Sequence, residues 1–465
     1  MAELTVEEII KATGGRLLAG NGILFSGVSI NSKTILKDEI FFALRGQRFD
    51  GHDFLDEAFA KGAGAVVNFP PLKPPKGKVV ICVDNTLNAL QQLSHYKRIM
   101  QKVPVIGITG SNGKTTTKEM TAAVLSKRFK VLKNDGNLNN HIGMPLSLLK
   151  LTNEAEVIVL EMGMNAKGEI RKLCEIAVPT HGVITNIGFA HLETLKDIET
   201  VRDAELEILS GIDAAIVNAD DSFLMEGVAP FKGRVITFAV KGNADVKADN
   251  IFKTERGSNF TLHFNNGSLR PDRKIKITFG VHGVFNIYNA LAASAVGLSL
   301  GISLDEIKEA IEGYAGFPMR FEIMRCGGIT IINDAYNANP SSMREALGEL
   351  VNLRGTGGER LIAALGDMFE LGAIAGEAHR TLAELLSELG IDVFIAVGQM
   401  MDIAALEAKG MEVHRFKDAD EARQNISSII RQGDIILIKG SRAMGMERVM
   451  EGIISNSSDP LRQLC

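Results

Sequence analysis

Cysteine is scarce. The chain has 465 residues and four cysteines, Cys82, Cys174, Cys326 and Cys465, no two close enough to form a CxxC unit. That argues against a zinc ribbon or a disulfide framework and suits a reducing compartment. Neither sign of charge is in marked excess: 51 basic residues stand against 56 acidic ones, a net charge of −5. A dedicated nucleic-acid or anionic-membrane binder is therefore not expected, although a local basic pocket is compatible with that balance. The N-terminal run MAELTVEEIIKATGG is acidic and amphipathic and lacks the apolar core of a signal peptide. One long stretch, 279–304, contains no Asp, Glu, Lys or Arg, but His282, Asn286, Asn289 and several glycines make it a poor membrane span. Internal repeats and low-complexity segments are missing. A soluble, cytoplasmic protein is the expectation.

What is present is ordinary globular material, 45% apolar and 23% charged. At about 150 residues per domain the length suggests roughly three domains, over 1–102, 103–318 and 319–465. In the first, four of the twelve prolines fall in PPLKPP (70–75), which must be a loop. A short strand at 79–83 follows, then a helix over 86–102 with Leu87, Leu90, Leu93, Tyr96 and Ile99 at three-residue spacing. The middle section has continuous apolar runs at 103–109, 157–161, 182–187 and 214–218, as expected of strands buried on both faces by helices. A doubly wound parallel sheet is predicted, with a more polar antiparallel edge over 241–278. Runs at 329–333, 361–365, 393–397 and 435–439 predict a second α/β domain of the same class.

The sharpest chemical signal is TGSNGKTTT, Thr109–Thr117, between a predicted strand and a predicted helix. A glycine-rich turn at a helix N-terminus presents N–H groups and the positive dipole end to phosphate. Lys114 can reach the β and γ phosphates, and the Thr115 hydroxyl can meet Mg²⁺. The spacing departs from G-x-x-x-x-G-K-[ST], because Ile108 stands where the first glycine belongs. Glu161 ends a buried strand. Alone it reads as a surface or cap residue, but beside a phosphate loop in the same sheet it reads as an oxygen ligand for Mg²⁺. His191 and Asn186 follow another strand and can join that site, although a lone histidine there is more often structural. Asn286 and Asn289 lie three apart at a helix start, as caps or as adenine contacts. Asp334, with Tyr336, Asn337 and Asn339, crowds one strand end of the third domain. Gly366, Asp367 and Glu370 crowd a second, and Lys439, Ser441 and Arg442 a third, which suggests a ligand-facing rim.

Taken together, TGSNGKTTT, the Glu161 segment LEMGMN, GFAHLE (188–193) and the Asn286–Asn289 helix start resemble the central ATPase domain of the Mur ligases, ATP-dependent amide-bond ligases that build the peptidoglycan precursor. NDAYNANPSSM (333–343), LGDMFELG (365–372), KGSRAMGMERV (439–449) and GNLNNHIGMPLSLL (136–149) look like the members that add D-alanyl-D-alanine. Residues 27–54 are similar to the UDP-substrate domain found in these and in the E-type ligases. The resemblance implies a small mixed α/β N-terminal domain for UDP-N-acetylmuramoyl-tripeptide, a central P-loop ATPase-like parallel-sheet domain for ATP and Mg²⁺, and a C-terminal Rossmann-like domain that covers the nucleotide and helps to bind D-alanyl-D-alanine. It implies a monomer and an acyl-phosphate intermediate. Matched position by position, Thr109, Gly110, Ser111, Asn112, Gly113, Lys114, Thr115 and Thr116 would cradle ATP. Asn289 would contact adenine, and Arg320 and Asp334 the ribose or phosphates. Thr115 and Glu161 would bind Mg²⁺, His191 would help hold a second Mg²⁺, and Ser32, Asn139 and Asn165 would meet the UDP-tripeptide.

Three departures stand out. The family's usual Asp-Ser-Arg is here Asn31, Ser32 and Lys33, and lysine cannot make arginine's bidentate contact. Phe285 replaces a frequent histidine. Glu205 occupies the place where the family commonly has a lysine that CO₂ carbamylates to give a metal-binding carboxylate. The expectation is that Glu205 supplies that carboxylate directly; the alternative is a solvated helix glutamate. Competing readings are an E-type ligase, folylpolyglutamate synthetase, and a nucleotide-gated binding protein without ligase activity. The first is disfavoured by the lack of a DNPR-like motif, the second by its different N-terminal domain.

Overall fold

The computed structural model describes residues 3–71, 75–265, 273–355 and 357–456. Residues 72–74 of the proline loop and Cys465 lie outside the described residues. The first layer of structure is a five-stranded sheet in the order Arg16–Ala19, Val79–Cys82, Gly64–Val67, Glu39–Phe42, Gly27–Ser29. All its pairings are parallel except that of the Arg16–Ala19 edge. Ile40, Phe42, Val66, Val79 and Ile81 fill one side of it, packed with Leu90 and Leu93 of the helix Thr86–Ile99. That helix stops short of 102. It also packs against the middle section, on Gly143–Leu148 and Glu169–Ala177. At its end the buried Arg98 donates to the carbonyls of Ala177 (2.8 Å), Val178 (3.2 Å), Gln101 (2.6 Å) and Val103 (3.1 Å), which ties the first section to the second.

The central sheet has nine strands, ordered Arg273–Phe279, Gly257–Phe264, Val246–Thr254, Arg234–Ala239, Ala214–Asn218, His181–Ile184, Val105–Thr109, Val157–Glu161, Val131–Lys133. From Val246–Thr254 to Val131–Lys133 neighbouring strands are parallel. The Gly257–Phe264 and Arg273–Phe279 strands form the expected antiparallel edge. The apolar runs are continuous because both faces are covered. Helices Lys114–Leu125 and Val284–Ser299 pack together on one side, and Glu169–Ala177 and Ile198–Glu205 lie on the other. The third sheet runs Glu322–Cys326, Ile329–Asp334, Ile435–Lys439, Leu361–Gly366, Val393–Val397, Glu412–Phe416, parallel but for the first hairpin. Among the described residues no helix is long and apolar enough to cross a membrane.

Candidate functional site

The carboxyl ends of the second and third sheets face one cavity of about 790 Å³. The strand Val105–Thr109 runs into the glycine turn at its floor. Gly110 (φ 125°) and Gly113 (φ 80°) hold left-handed conformations. A Cβ at Gly110 would fall 2.1 Å from Thr185 Oγ1, and one at Gly113 2.4 Å from Asn289 Oδ1. The turn therefore needs glycine for backbone shape and for close approach. Asn186 fixes it from the side: its carbonyl accepts from Ser111 N (2.9 Å) and its Oδ1 from Asn112 N (3.1 Å). The N–H groups of Lys114, Thr115 and Thr116 in the next helix have no carbonyl one turn earlier in the helix to bond, which leaves them as donors for an anion. The Lys114 ammonium folds back on the carbonyls of Gly110 (2.5 Å) and Ser111 (3.3 Å).

Glu205, at the end of its helix, is buried under this turn. Its Oε2 accepts from the Thr109 hydroxyl and from Gly110 N (2.9 Å). Burial pushes the Glu205 carboxyl up, and the Lys114 charge and the Thr109 and Gly110 donors offset part of that rise. It is no solvated helix glutamate, yet it braces the turn from behind and does not line the cavity.

Glu161 does line it, at 3% exposure. Asn134 clamps its backbone: Oδ1 accepts from Glu161 N (2.9 Å) and Nδ2 donates to Glu161 O (3.1 Å). Asn139 Nδ2 donates to Oε1 (2.8 Å), while Oε2 is buried without a hydrogen-bond partner. His191, in a left-handed conformation, brings Nδ1 to 2.7 Å from Glu370 Oε2, across to the third section. The His191 ring holds the Glu370 carboxyl below its ordinary range.

Arg320 stands between Met319 and Phe321, both left-handed (φ 58° and 53°). Its guanidinium lies 3.7 Å over the Tyr336 ring and donates to Thr115 Oγ1 (3.1 Å). Asp334 accepts from Lys439 Nζ (2.5 Å) and from Phe321 N (3.1 Å). Asn339 Nδ2 donates to Asn112 Oδ1 (2.8 Å), a second contact from the third section to the turn. Asn289 accepts from Thr117 Oγ1 (3.1 Å) and Asn286 donates to His282 O (2.7 Å). Neither caps its helix, whose cap residue is Gly283.

The structure thus brings Ser111 to Thr116, Asn139, Glu161, Asn165, His191, Asn289, Arg320 and Asp334 around one space. Thr109 and Gly110 lie beneath it. Ser32 is not brought there; its hydroxyl donates to Glu57 Oε2 (2.7 Å) within the first section. Four members of the expected rim, Gly366, Asp367, Glu370 and Ser441, also do not line the cavity. Asp367 accepts from Met401 N (2.7 Å) in the first turn of the helix Gln399–Glu407, and Ser441 accepts from Phe369 N (2.8 Å) in a loop, so both serve backbone N–H groups rather than line the cavity. Sequence reading missed Tyr288, whose hydroxyl donates to Asp220 Oδ2 (2.7 Å) on the cavity wall, and the wholly buried Lys118. Tyr288 lies two residues from Asn286 inside an apolar helix, and Lys118 reads as an ordinary helix-surface lysine, so neither gave a signal. Among the described residues no three His, Cys, Asp or Glu side chains converge into a metal cage.

This is a three-section α/β protein whose phosphate-type turn is enclosed by its C-terminal section. The Mur ligase middle domain profile matches residues 108–297, the Mur ligase glutamate ligase domain profile 319–442, and the Mur ligase family catalytic domain profile 24–98. The chain is 35% identical to a UDP-N-acetylmuramoyl-tripeptide–D-alanyl-D-alanine ligase of Bacillus subtilis, over 98% of this chain and 99% of that protein. It is 34% identical to the protein of the same name in Escherichia coli, over 98% and 100%. MurF from Acinetobacter baumannii superposes with a TM-score of 0.89 at 32% identity, covering 98% of this chain and 99% of that one. MurF ligase from Thermotoga maritima, solved with ADP, gives 0.82 at 27% identity, covering 92% and 97%. The chain belongs to the Mur ligase family.

Proposed function

We propose that this protein joins D-alanyl-D-alanine to UDP-N-acetylmuramoyl-tripeptide at the expense of ATP, in the cytoplasm and as a monomer. The observation that carries the reading is the single cavity in which the glycine turn, the Asn139–Glu161 pair and the third-section residues Arg320, Asp334 and Lys439 meet. The relatives' names supply the substrates. We place the UDP-substrate domain at 1–102, the ATP domain at 103–318 and the ligase domain at 319–465.

In this reading Lys114 leaves its carbonyl partners for the β and γ phosphates, and the first-turn N–H groups hold the phosphate chain. Asn289 meets adenine, and Arg320 and Asp334 the ribose or phosphates. Asn139 and Asn165 face the tripeptide, with Ser32 a more remote contact in the UDP domain. The residues fit Mg²⁺: Glu161 offers a buried oxygen without a hydrogen-bond partner, and the Thr115 hydroxyl already accepts from a cation, Arg320. When bound, Mg²⁺ would neutralise phosphate charge. His191 is assigned to a second Mg²⁺, and Glu205, held behind the turn by Thr109 and Gly110 and off the cavity wall, would supply toward that ion the negative charge that a carbamylated lysine supplies elsewhere in the family. The tripeptide carboxylate attacks the γ-phosphorus, ADP leaves, and the dipeptide amine displaces phosphate from the acyl phosphate through a tetrahedral intermediate. Enclosure and alignment by the three sections do most of this work, since no enzyme nucleophile is required. Phosphate release that requires both UDP-tripeptide and D-alanyl-D-alanine tests the proposal. Release that ignores the dipeptide contradicts it.

A further inference from the structure

Lys118 is 0% exposed, yet it sits in the first helix after the glycine turn, one turn beyond Lys114. Its ammonium donates to the carbonyls of Asn134 (2.9 Å) and Gly136 (3.4 Å) and pairs with Glu119 Oε1 (3.1 Å). Glu119 is paired in turn with Lys133. Asp135, which also feels the Lys118 charge, is paired with Lys150; the other neighbour is Glu161 Oε2, 3.9 Å away, the oxygen that has no hydrogen-bond partner. Lys118 and Lys133 thus balance Glu119 and Glu161. A divalent cation arriving alone at Glu161 would meet a locally neutral cluster with a buried ammonium close behind the carboxylate. Arriving with a phosphate chain, it would bring its own negative charge.

We infer that Lys118 is a positioning residue that makes Glu161 accept a divalent cation only together with nucleotide phosphates. The inference rests on the assignment of Thr115 and Glu161 to the cation. The buried charge acts through Glu161: anchored on the Asn134 and Gly136 carbonyls, it attracts the carboxylate from 3.9 Å and repels a bare cation through a poorly screened interior. A purely structural lysine, clamping the Asn134 and Gly136 carbonyls, would have the opposite signature, because its loss would loosen the site and weaken cation binding.

The probe is Mn²⁺, followed by its electron paramagnetic resonance signal, with and without ADP. Wild type should bind Mn²⁺ alone about tenfold or more weakly than Lys118→Met does, a difference in keeping with one like charge at this range. With ADP present, the two proteins should differ much less. The extra Mn²⁺ affinity should vanish in Lys118→Met/Glu161→Gln. Lys118→Met/Glu119→Gln removes the buried pair together and leaves the more distant, half-exposed Lys133 as the cation of the cluster, so it should bind Mn²⁺ alone more tightly than wild type and more weakly than Lys118→Met. Wild type that binds Mn²⁺ alone as tightly as Lys118→Met overturns the inference, as does a Lys118 variant that binds Mn²⁺ more weakly. If Mn²⁺ with ADP binds wild type and Glu161→Gln equally, the assignment of Glu161 itself fails, and this inference falls with it.

Discussion

Replacing Glu205 by glutamine keeps the shape of the side chain and removes its charge. The structure allows both consequences to be worked out. Glu205 Oε2 receives two hydrogen bonds, from the Thr109 hydroxyl and Gly110 N. A charge-assisted hydrogen bond contributes about 1.5–3 kcal/mol and a neutral one about 1 kcal/mol. The glutamine carbonyl retains an acceptor, so the loss is the difference between these, about 0.5–2 kcal/mol per bond. Against that stands relief of burying a carboxylate, the first cause of the raised Glu205 pKa. The two effects oppose, and the folding stability of Glu205→Gln is expected within about 2 kcal/mol of wild type. Turnover should behave differently. If Glu205 supplies negative charge beside Lys114 and the second cation, its loss removes a preorganised electrostatic partner, worth about 10²–10³ in kcat. The assay is phosphate release with ATP, UDP-tripeptide and D-alanyl-D-alanine, run beside a thermal melt. Wild-type activity should be unchanged in bicarbonate-free buffer, since no lysine there needs CO₂. Normal ligation by a folded Glu205→Gln, or loss of wild-type activity on removing bicarbonate, would refute the reasoning.

Lys114→Met should leave the circular dichroism spectrum intact and abolish ligation, because the lost ammonium faces phosphate charge in the transition state; near wild-type turnover would remove Lys114 from the mechanism. The third section is held over the turn by Asn339–Asn112 and His191–Glu370. Asn339→Ala/Glu370→Ala should therefore raise the ligand-free radius of gyration in small-angle scattering, with ATP and UDP-tripeptide reversing the change; an unchanged radius counts against these contacts as the latch. The Arg128 guanidinium, and then Ser303, hold Glu306 at about 2 instead of 4.5. A carboxylate with a depressed folded pKa stabilises above its unfolded value and loses that contribution as pH falls through the folded one. The melting-temperature gap between wild type and Glu306→Gln should accordingly be largest at neutral pH and shrink below about pH 4.5; a gap that grows on acidification would contradict the sign.

The strands were legible because they are buried on both faces. Val157–Glu161, Ala214–Asn218, Val393–Val397 and Ile435–Lys439 appear as uninterrupted apolar runs, which a parallel sheet requires. Glu412–Phe416 was missed because it is a partly exposed edge strand with charged residues in its pattern. The glycine turn was legible because Gly110 and Gly113 are demanded by backbone shape and by Thr185 and Asn289 close behind them. Side-chain direction at loop ends was not legible. Asp334, Asp367 and Ser441 all lie at strand ends in similar polar company, yet only Asp334 lines the cavity; Asp367 turns back to a first-turn helix N–H and Ser441 to a loop N–H. The burial of Lys118 depends on carbonyls sixteen and eighteen residues away, which no local pattern reports.

The most direct test of the central claim is the mass of the product. Purified protein should be incubated with ATP, Mg²⁺, UDP-N-acetylmuramoyl-tripeptide and D-alanyl-D-alanine, and the nucleotide-sugar fraction analysed by mass spectrometry. The account predicts a UDP-N-acetylmuramoyl-pentapeptide, the tripeptide plus dipeptide less one water, formed in step with ADP and phosphate and missing when ATP or either substrate is omitted. ATP hydrolysis with the tripeptide mass unchanged, or addition of a single amino acid to a shorter peptide, would contradict it.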